Sequence, residues 1–145
     1  MSVTTAMCTS FKQELLQGLH DIDGHTIKLA LIKSGESGTY GAASTNYSNV
    51  TGNSDEASGT NYSSGGVTLS SVSITTSGTT ALVDFADVSW SNSTISASGA
   101  IIYNSSASNK AIAIISFGGT VASTAGTFSI TMPAADASNA LIRIA

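Results

Sequence analysis

Apolar and polar residues alternate along much of the chain, and this pattern predicts a protein built mostly of β-strands. Over Thr26–Lys33 the apolar residues Ile27, Leu29 and Leu31 fall on one face of a strand. After residue 66 similar segments follow one another, separated by short turns rich in Gly, Ser, Thr and Asn. These predicted strands are Val67–Thr75, Ala81–Trp90, Ser93–Asn104, Lys110–Phe117, Thr127–Met132 and Ala140–Ala145. Strands at this spacing predict an all-β fold, an antiparallel β-sandwich of the jelly-roll or Ig-like type.

The alternation changes phase at two places, where irregular strand geometry is expected. The first change, near Ser70 and Ser71, predicts a β-bulge. The second lies near Ala86 and Asp87 and predicts a bulge or a strand corner. The segment Ser91–Ser93 is then predicted to be the turn of a hairpin, with Trp90 as a core or hairpin anchor.

One short helix of about two turns is predicted near the start of the chain. Ser10 and Gln13 have the spacing of a capping box, and Phe11, Leu15 and Leu19 recur at helical intervals. The helix should turn this apolar stripe onto a sheet. Residues 1–9 precede it as an N-terminal arm.

Residues 34–66 have no hydrophobic periodicity and consist almost wholly of Ser, Gly, Thr, Asn and Ala, which predicts a long surface loop. A loop of this length in a compact domain is usually either functional or disordered. Tyr40, Tyr47 and Tyr62 punctuate it. Because aromatic residues are enriched at interface cores, these three tyrosines are the predicted partner-binding residues, together with the N-terminal arm.

Length and charge narrow the classes of function. The 145 residues fit one domain spanning residues 1–145. Only 10% of the residues are charged, against about 25% in an average soluble domain. With a net charge of −4 and five basic residues, no cluster could neutralise several phosphates, so nucleic acid is not an expected partner. No apolar run is long enough to cross a membrane, and no secretory signal is apparent.

Residues able to carry chemistry are few. Cys8 is the only cysteine and has no flanking His or basic residue, so it is predicted to be an unreactive thiol. Asp21 and Asp23 resemble the opening of a calcium loop, but the later ligands are missing, and His20 and His25 have the wrong spacing for a helical zinc site.

A pair of acids is the remaining catalytic candidate. A glycosidase needs two acids that face each other across one cleft. Asp84 and Asp87 lie three residues apart on a predicted strand and should therefore point to opposite faces of the sheet. We predict that the chain is not an enzyme, with no catalytic residues, no cofactor and no metal.

Several segments together resemble a known class of protein. In chain order they are FKQELL, HTIKLALIKSG, GTNYSSGGVTL, ALVDFADVSWSNSTISASGAIIYN, KAIAIISFGG and GTFSITMP. They are similar to small virion structural proteins of tailed bacteriophages, and the resemblance covers most of the chain. Those proteins often carry a basic residue before the GAIIYN-like segment, where this chain has Ser98.

The resemblance implies a capsid decoration or cement protein that binds the outer face of the shell. Its partners would be the major capsid protein and further copies of itself, a trimer being one option, and it would reach the virion after synthesis in the host cytoplasm.

Two alternative functions stay open. One is a receptor-binding or glycan-binding module of a phage tail or head fibre or of an extracellular adhesin, with Tyr40, Tyr47, Tyr62 and Trp90 as stacking platforms. The other is a small hydrolase.

Overall fold

The computed structural model describes residues 2–145 and contains ten strands and two α-helices. The strands are β1 (Ser2–Val3), β2 (Ala6–Met7), β3 (Ile27–Lys33), β4 (Thr39–Tyr40), β5 (Val67–Thr68), β6 (Ser73–Ser77), β7 (Thr80–Asp84), β8 (Val88–Asn104), β9 (Lys110–Ile130) and β10 (Ile142–Ile144). The helices are α1 (Thr9–Leu16) and α2 (Ser48–Gly52). Strands form 48% of the chain and helices 11%, so the prediction of a β-rich antiparallel fold is confirmed.

A five-stranded antiparallel sheet in the order β2-β9-β8-β3-β5 is the largest element of the fold. The predicted strand at Thr26–Lys33 is confirmed as β3, and both of its faces are largely covered. Its neighbour β8 is apolar and buried over Ala100–Tyr103, as is β9 over Ala111–Ile114. These near-continuous apolar runs therefore form the centre of the sheet, as expected for strands covered on both sides.

The predicted hairpin turn at Ser91–Ser93 is wrong, because β8 runs unbroken from Val88 to Asn104. Asn92 takes a positive φ of 48°, and the register with β9 shifts between Trp90 and Ser93. This geometry is that of a bulge, in which one strand gains residues without reversing direction. The chain reverses instead after Asn104, whose side chain accepts the Ser106 N–H at 3.0 Å.

The two strands predicted at Lys110–Phe117 and Thr127–Met132 are parts of the single strand β9. Between them, residues 117–120 bulge out opposite Ser98, since Ala97 pairs with Val121 and Gly99 pairs with Ser116. The positive φ values of Gly118 and Gly119 allow this excursion. The glycine-rich composition of residues 117–120 favoured a turn between two strands, but β9 resumes its pairing with β8 at Val121.

A second sheet, in the order β10-β7-β6, explains the two phase changes. The chain leaves the first sheet after Thr68 and enters the second at Ser73, with Ser71 at a φ of 53°. It returns to the first sheet between Asp84 and Val88. At the first phase change, near Ser70 and Ser71, the chain passes from one sheet to the other, so the bulge predicted there is wrong. At the second, near Asp87, the chain forms a strand corner, which was one of the two geometries predicted.

The N-terminal residues are integrated into the fold. β2 pairs with β9, β1 pairs with β4 in parallel, and Val3 packs against Gly99, where any side chain would collide with it. The predicted helix is confirmed as α1, but the capping box is not, because the N-cap is Cys8 and no side chain caps it. Ser10 Oγ instead approaches the Ser44 carbonyl at 3.5 Å. Met1 lies outside the described residues.

One buried apolar cluster joins both sheets and α1. Phe11 of α1 is fully buried, as the stripe predicted, whereas Leu19 lies beyond the end of the helix and is partly exposed. Trp90 is buried in this cluster between Tyr62 and Phe128, so its predicted role as a core anchor is confirmed. Within residues 2–145, neither helix has the length and apolar character needed to span a membrane.

Candidate interaction surface

Residues 34–66 form an ordered segment. Asp55 holds the first part of this segment, residues 37–40, in place. The Asp55 carboxylate is fully buried and accepts hydrogen bonds from the Tyr40 hydroxyl at 2.6 Å and the Gly38 N–H at 2.8 Å. The Ser37 N–H also donates to it, and Lys33 Nζ lies 3.4 Å away. A buried charge needs such partners, because its desolvation is otherwise costly.

Glu56 fixes the second part of the same segment. It accepts hydrogen bonds from the hydroxyls of Tyr47 and Tyr62 and from the Gly65 N–H at 2.7 Å. Tyr62 also accepts the Leu31 N–H of β3 at 2.9 Å, which ties the loop to the large sheet. Asn61 further donates its amide to the carbonyls of Ser91 and Asn92, so the loop covers that edge of β8.

The ionisation of these groups follows from their partners. Burial alone would raise the pKa of the Asp55 carboxyl, but the hydrogen bonds from Tyr40, Ser37, Gly38 and Lys33 outweigh burial and hold that pKa well below its usual range. Burial, followed by the hydrogen bonds to the carboxylates, raises the pKa of Tyr40 and of Tyr47 to about 12. Burial likewise raises the pKa of Tyr62 and of Tyr103.

The three tyrosines predicted to bind a partner all turn their hydroxyls inward. Tyr47 and Tyr62 are brought together at Glu56, whereas Tyr40 lies apart on Asp55 and is only 1% exposed. The Tyr47 ring stacks on Tyr103 with centroids 4.4 Å apart. With Tyr40 and Trp90 buried, their ring faces are not open to a sugar. Partner binding by Tyr47 and Tyr62, which are both partly exposed, stays a prediction.

A buried polar network joins the two histidines, which sequence reasoning treated only as a weak metal candidate. The amide nitrogen of Asn104, which can only donate, lies 3.0 Å from Nδ1 of His20 and 2.9 Å from Nδ1 of His25. His20 Nε2 therefore carries its proton toward Glu14 Oε1 at 3.0 Å. The network fastens the loop after α1 to the end of β8.

The other candidates for chemistry do not converge on one site. Asp87 accepts the Met132 N–H at 2.6 Å and so fixes the strand corner, while Asp84 lies on β7. Burial, and then the charge of Glu14, raise the pKa of the Cys8 thiol to about 11, which agrees with an unreactive cysteine. Among residues 2–145, no group of three or more His, Cys, Asp or Glu side chains is arranged to hold a metal ion.

An exposed apolar groove lies between α1 and the three-stranded sheet, and we call it the α1–sheet groove. Its volume is about 140 Å³, and its walls include Phe11, Leu15 and Ile22 on one side and Ile74, Ile142 and Ile144 on the other. Ile74 and Ile142 both pair with Val83 and therefore share one face of the sheet. Ile74 is 49% exposed and Ile144 is 51% exposed.

The α1 residue that follows Leu15 is also apolar and exposed. Leu16 does not line the groove, but it is 92% exposed. A single exposed apolar residue is common, whereas two half-exposed isoleucines lining one groove are typical of an interaction site. Sequence reasoning missed Leu16, Ile74 and Ile144. The usable signal was the Leu15–Leu16 pair, because a helix can bury only one of two adjacent leucines against one sheet.

Comparison with known proteins gives no relative for this chain: no family model, no curated protein and no solved structure matches it.

Proposed function

We propose that this chain is a non-enzymatic virion structural subunit, a capsid decoration protein that attaches to the outer face of the shell and stabilises it. The observation that supports this proposal is the α1–sheet groove, in which the lining residues Ile74 and Ile144 are exposed. Adhesion to another protein needs complementary surface with an apolar centre, and it needs no perturbed catalytic groups.

The remainder of the molecule agrees with an adhesive role. Asp55 and Glu56 use their hydrogen bonds to hold the long loop in place. Because both sheets share one buried cluster, we also propose that they form the two layers of a β-sandwich of the jelly-roll or Ig-like type. Such a rigid body would bridge neighbouring capsid subunits and favour the assembled state by mass action.

The test is binding of the purified protein to capsids of the encoding virus assembled without it. We expect saturable binding and a higher temperature of capsid disruption. Ile144→Glu should reduce binding at least tenfold, because it places a charge at the groove rim.

The matched control is Val121→Glu on β9, since Val121 has a similar exposed fraction of 41% outside the groove. It should bind like the unaltered protein. The proposal is wrong if the unaltered protein does not bind, or if the two variants bind equally well.

A further inference from the structure

β6 is an edge strand without the features that normally protect sheet edges. All five of its residues are exposed, and it pairs only with β7. Its sequence, SITTS, contains no charge, proline or glycine, and its register with β7 has no bulge. Natural edges usually carry such features because an open edge pairs readily with another strand.

The other edges are protected or short. β10 carries Arg143, and β2 and β5 have two residues each. The outer edge of β9 is interrupted by the excursion at Gly118 and Gly119. The long loop covers the edge of β8 through Asn61. The structure therefore singles out β6 as the edge most suited to accept a strand.

We propose that β6 pairs with β6 of a second copy of this chain, antiparallel, across a two-fold axis at Thr75. In this register Ile74 lies opposite Thr76 and Ser73 lies opposite Ser77 of the other copy, so all five residues are paired. The two apolar–polar pairs are identical by symmetry, as an isologous interface requires. β-branched residues at three of the five positions favour the extended conformation.

Charge does not oppose this arrangement, although the chain is acidic overall. The acid that pairs with a residue of β6 is Asp84 on β7, which lies opposite Ser73. Standard strand spacing and rise would separate the two Asp84 side chains of the dimer by about 20 Å, beyond the Debye length of about 8 Å at physiological salt.

The pairing would join two three-stranded sheets into one six-stranded sheet. Ile74 shares its sheet face with Ile142, so the two grooves would lie side by side on one face of the dimer. If the proposed attachment to capsids is correct, the dimer would bind through two grooves at once and gain avidity. Self-pairing itself does not depend on that function.

Cysteine crosslinking of the isolated full chain tests the register. Thr75→Cys should form a disulfide-linked dimer under mild oxidation, because the two Cβ atoms face each other at the axis. Ser77→Cys is the matched control: its two copies would lie more than about 13 Å apart along the strands, too far for a disulfide. A mixture of Ser73→Cys and Ser77→Cys chains should crosslink. Cys8 is buried and does not interfere.

Sedimentation equilibrium supplies an independent measurement. Thr75→Lys should weaken dimerisation at least tenfold, since two like charges would meet at the axis. A protein that stays monomeric at millimolar concentration, or that crosslinks as well through Ser77→Cys as through Thr75→Cys, would overturn the proposal. Capsid binding by a monomer would leave the proposed function intact.

Discussion

Asp55 and Glu56 are adjacent in the chain, yet they bind different parts of the long loop. Asp55 holds Gly38 and Tyr40, and Glu56 holds Tyr62 and Gly65. A segment poor in apolar residues cannot be ordered by burial alone, so charge-assisted hydrogen bonds supply the order. At the scale of the residue, these two acids turn a low-complexity segment into defined structure.

Removing the Asp55 charge should destabilise the protein at neutral pH. It should also make the free energy of unfolding fall less steeply as the pH is lowered. The pKa of Asp55 is lower in the folded than in the unfolded state, so its contribution is present above about pH 4 and is lost as the pH falls further. We expect Asp55→Asn to lower the free energy of unfolding at neutral pH by about 3 kcal/mol, as measured by urea denaturation. Asp23→Asn, at an exposed position, is the control and should change it by less than about 0.5 kcal/mol.

The four tyrosines should not titrate at their ordinary pH while the protein is folded. The pKa of each is raised, to about 12 for Tyr40 and Tyr47, so the stability they contribute is present below about pH 10 and is lost as the pH rises beyond it. We expect tyrosinate absorbance to appear together with the change in Trp90 fluorescence that reports unfolding. Ionisation of any tyrosine near pH 10 in the folded protein would contradict this assignment.

At the scale of the element, the sequence predicted strand faces well and strand connections poorly. Ile27, Leu29 and Leu31 are buried as their alternation indicated. The Ser91–Ser93 segment has turn-like composition, but a turn and a bulge use the same residue types, and pairing with β9 decides between them. Ile74 was assigned correctly to a strand, while its exposed position on an edge depended on which strands lie beside it.

Gly66 should be more sensitive to substitution than other glycines with positive φ. Its φ is +78°, and an added Cβ would lie 1.8 Å from the Leu29 carbonyl oxygen where the loop joins β3. Gly35 has a φ of +72° with open space around it. We expect Gly35→Ala to cost about 1 kcal/mol and Gly66→Ala about 3 kcal/mol more, as measured by thermal unfolding. Equal costs would show that the close approach is unimportant.

At the scale of the whole molecule, the N-terminal arm and the long loop are parts of the domain. The arm supplies an edge strand to the large sheet, and the loop covers β8. Deleting either segment would disturb the fold, so deletion is unsuitable for locating a partner contact. Single substitutions at the α1–sheet groove change the surface with less effect on the interior.

Deleting residues 1–7 should destabilise the protein and expose β9. Val3 and Met7 pack on the core, and β2 covers the β9 backbone at Ala113 and Ile114. We expect a loss of about 2 kcal/mol and concentration-dependent aggregation, measured by thermal unfolding and light scattering. Deleting the exposed Ala145 is the control and should leave both unchanged. A truncated protein as stable and monomeric as its parent would contradict the role of β2.

The sequence by itself determined the β-rich class, the faces of most strands, the amphipathic helix α1 but not α2, and the burial of Trp90, because alternation and helical spacing are local consequences of backbone geometry. Only the tertiary structure decided that VDFADVSW crosses between two sheets, that the tyrosines point inward, and that Ile74 and Ile144 line an open groove. Those features depend on contacts between residues far apart in the chain, and a local pattern carries no information about which segments become neighbours.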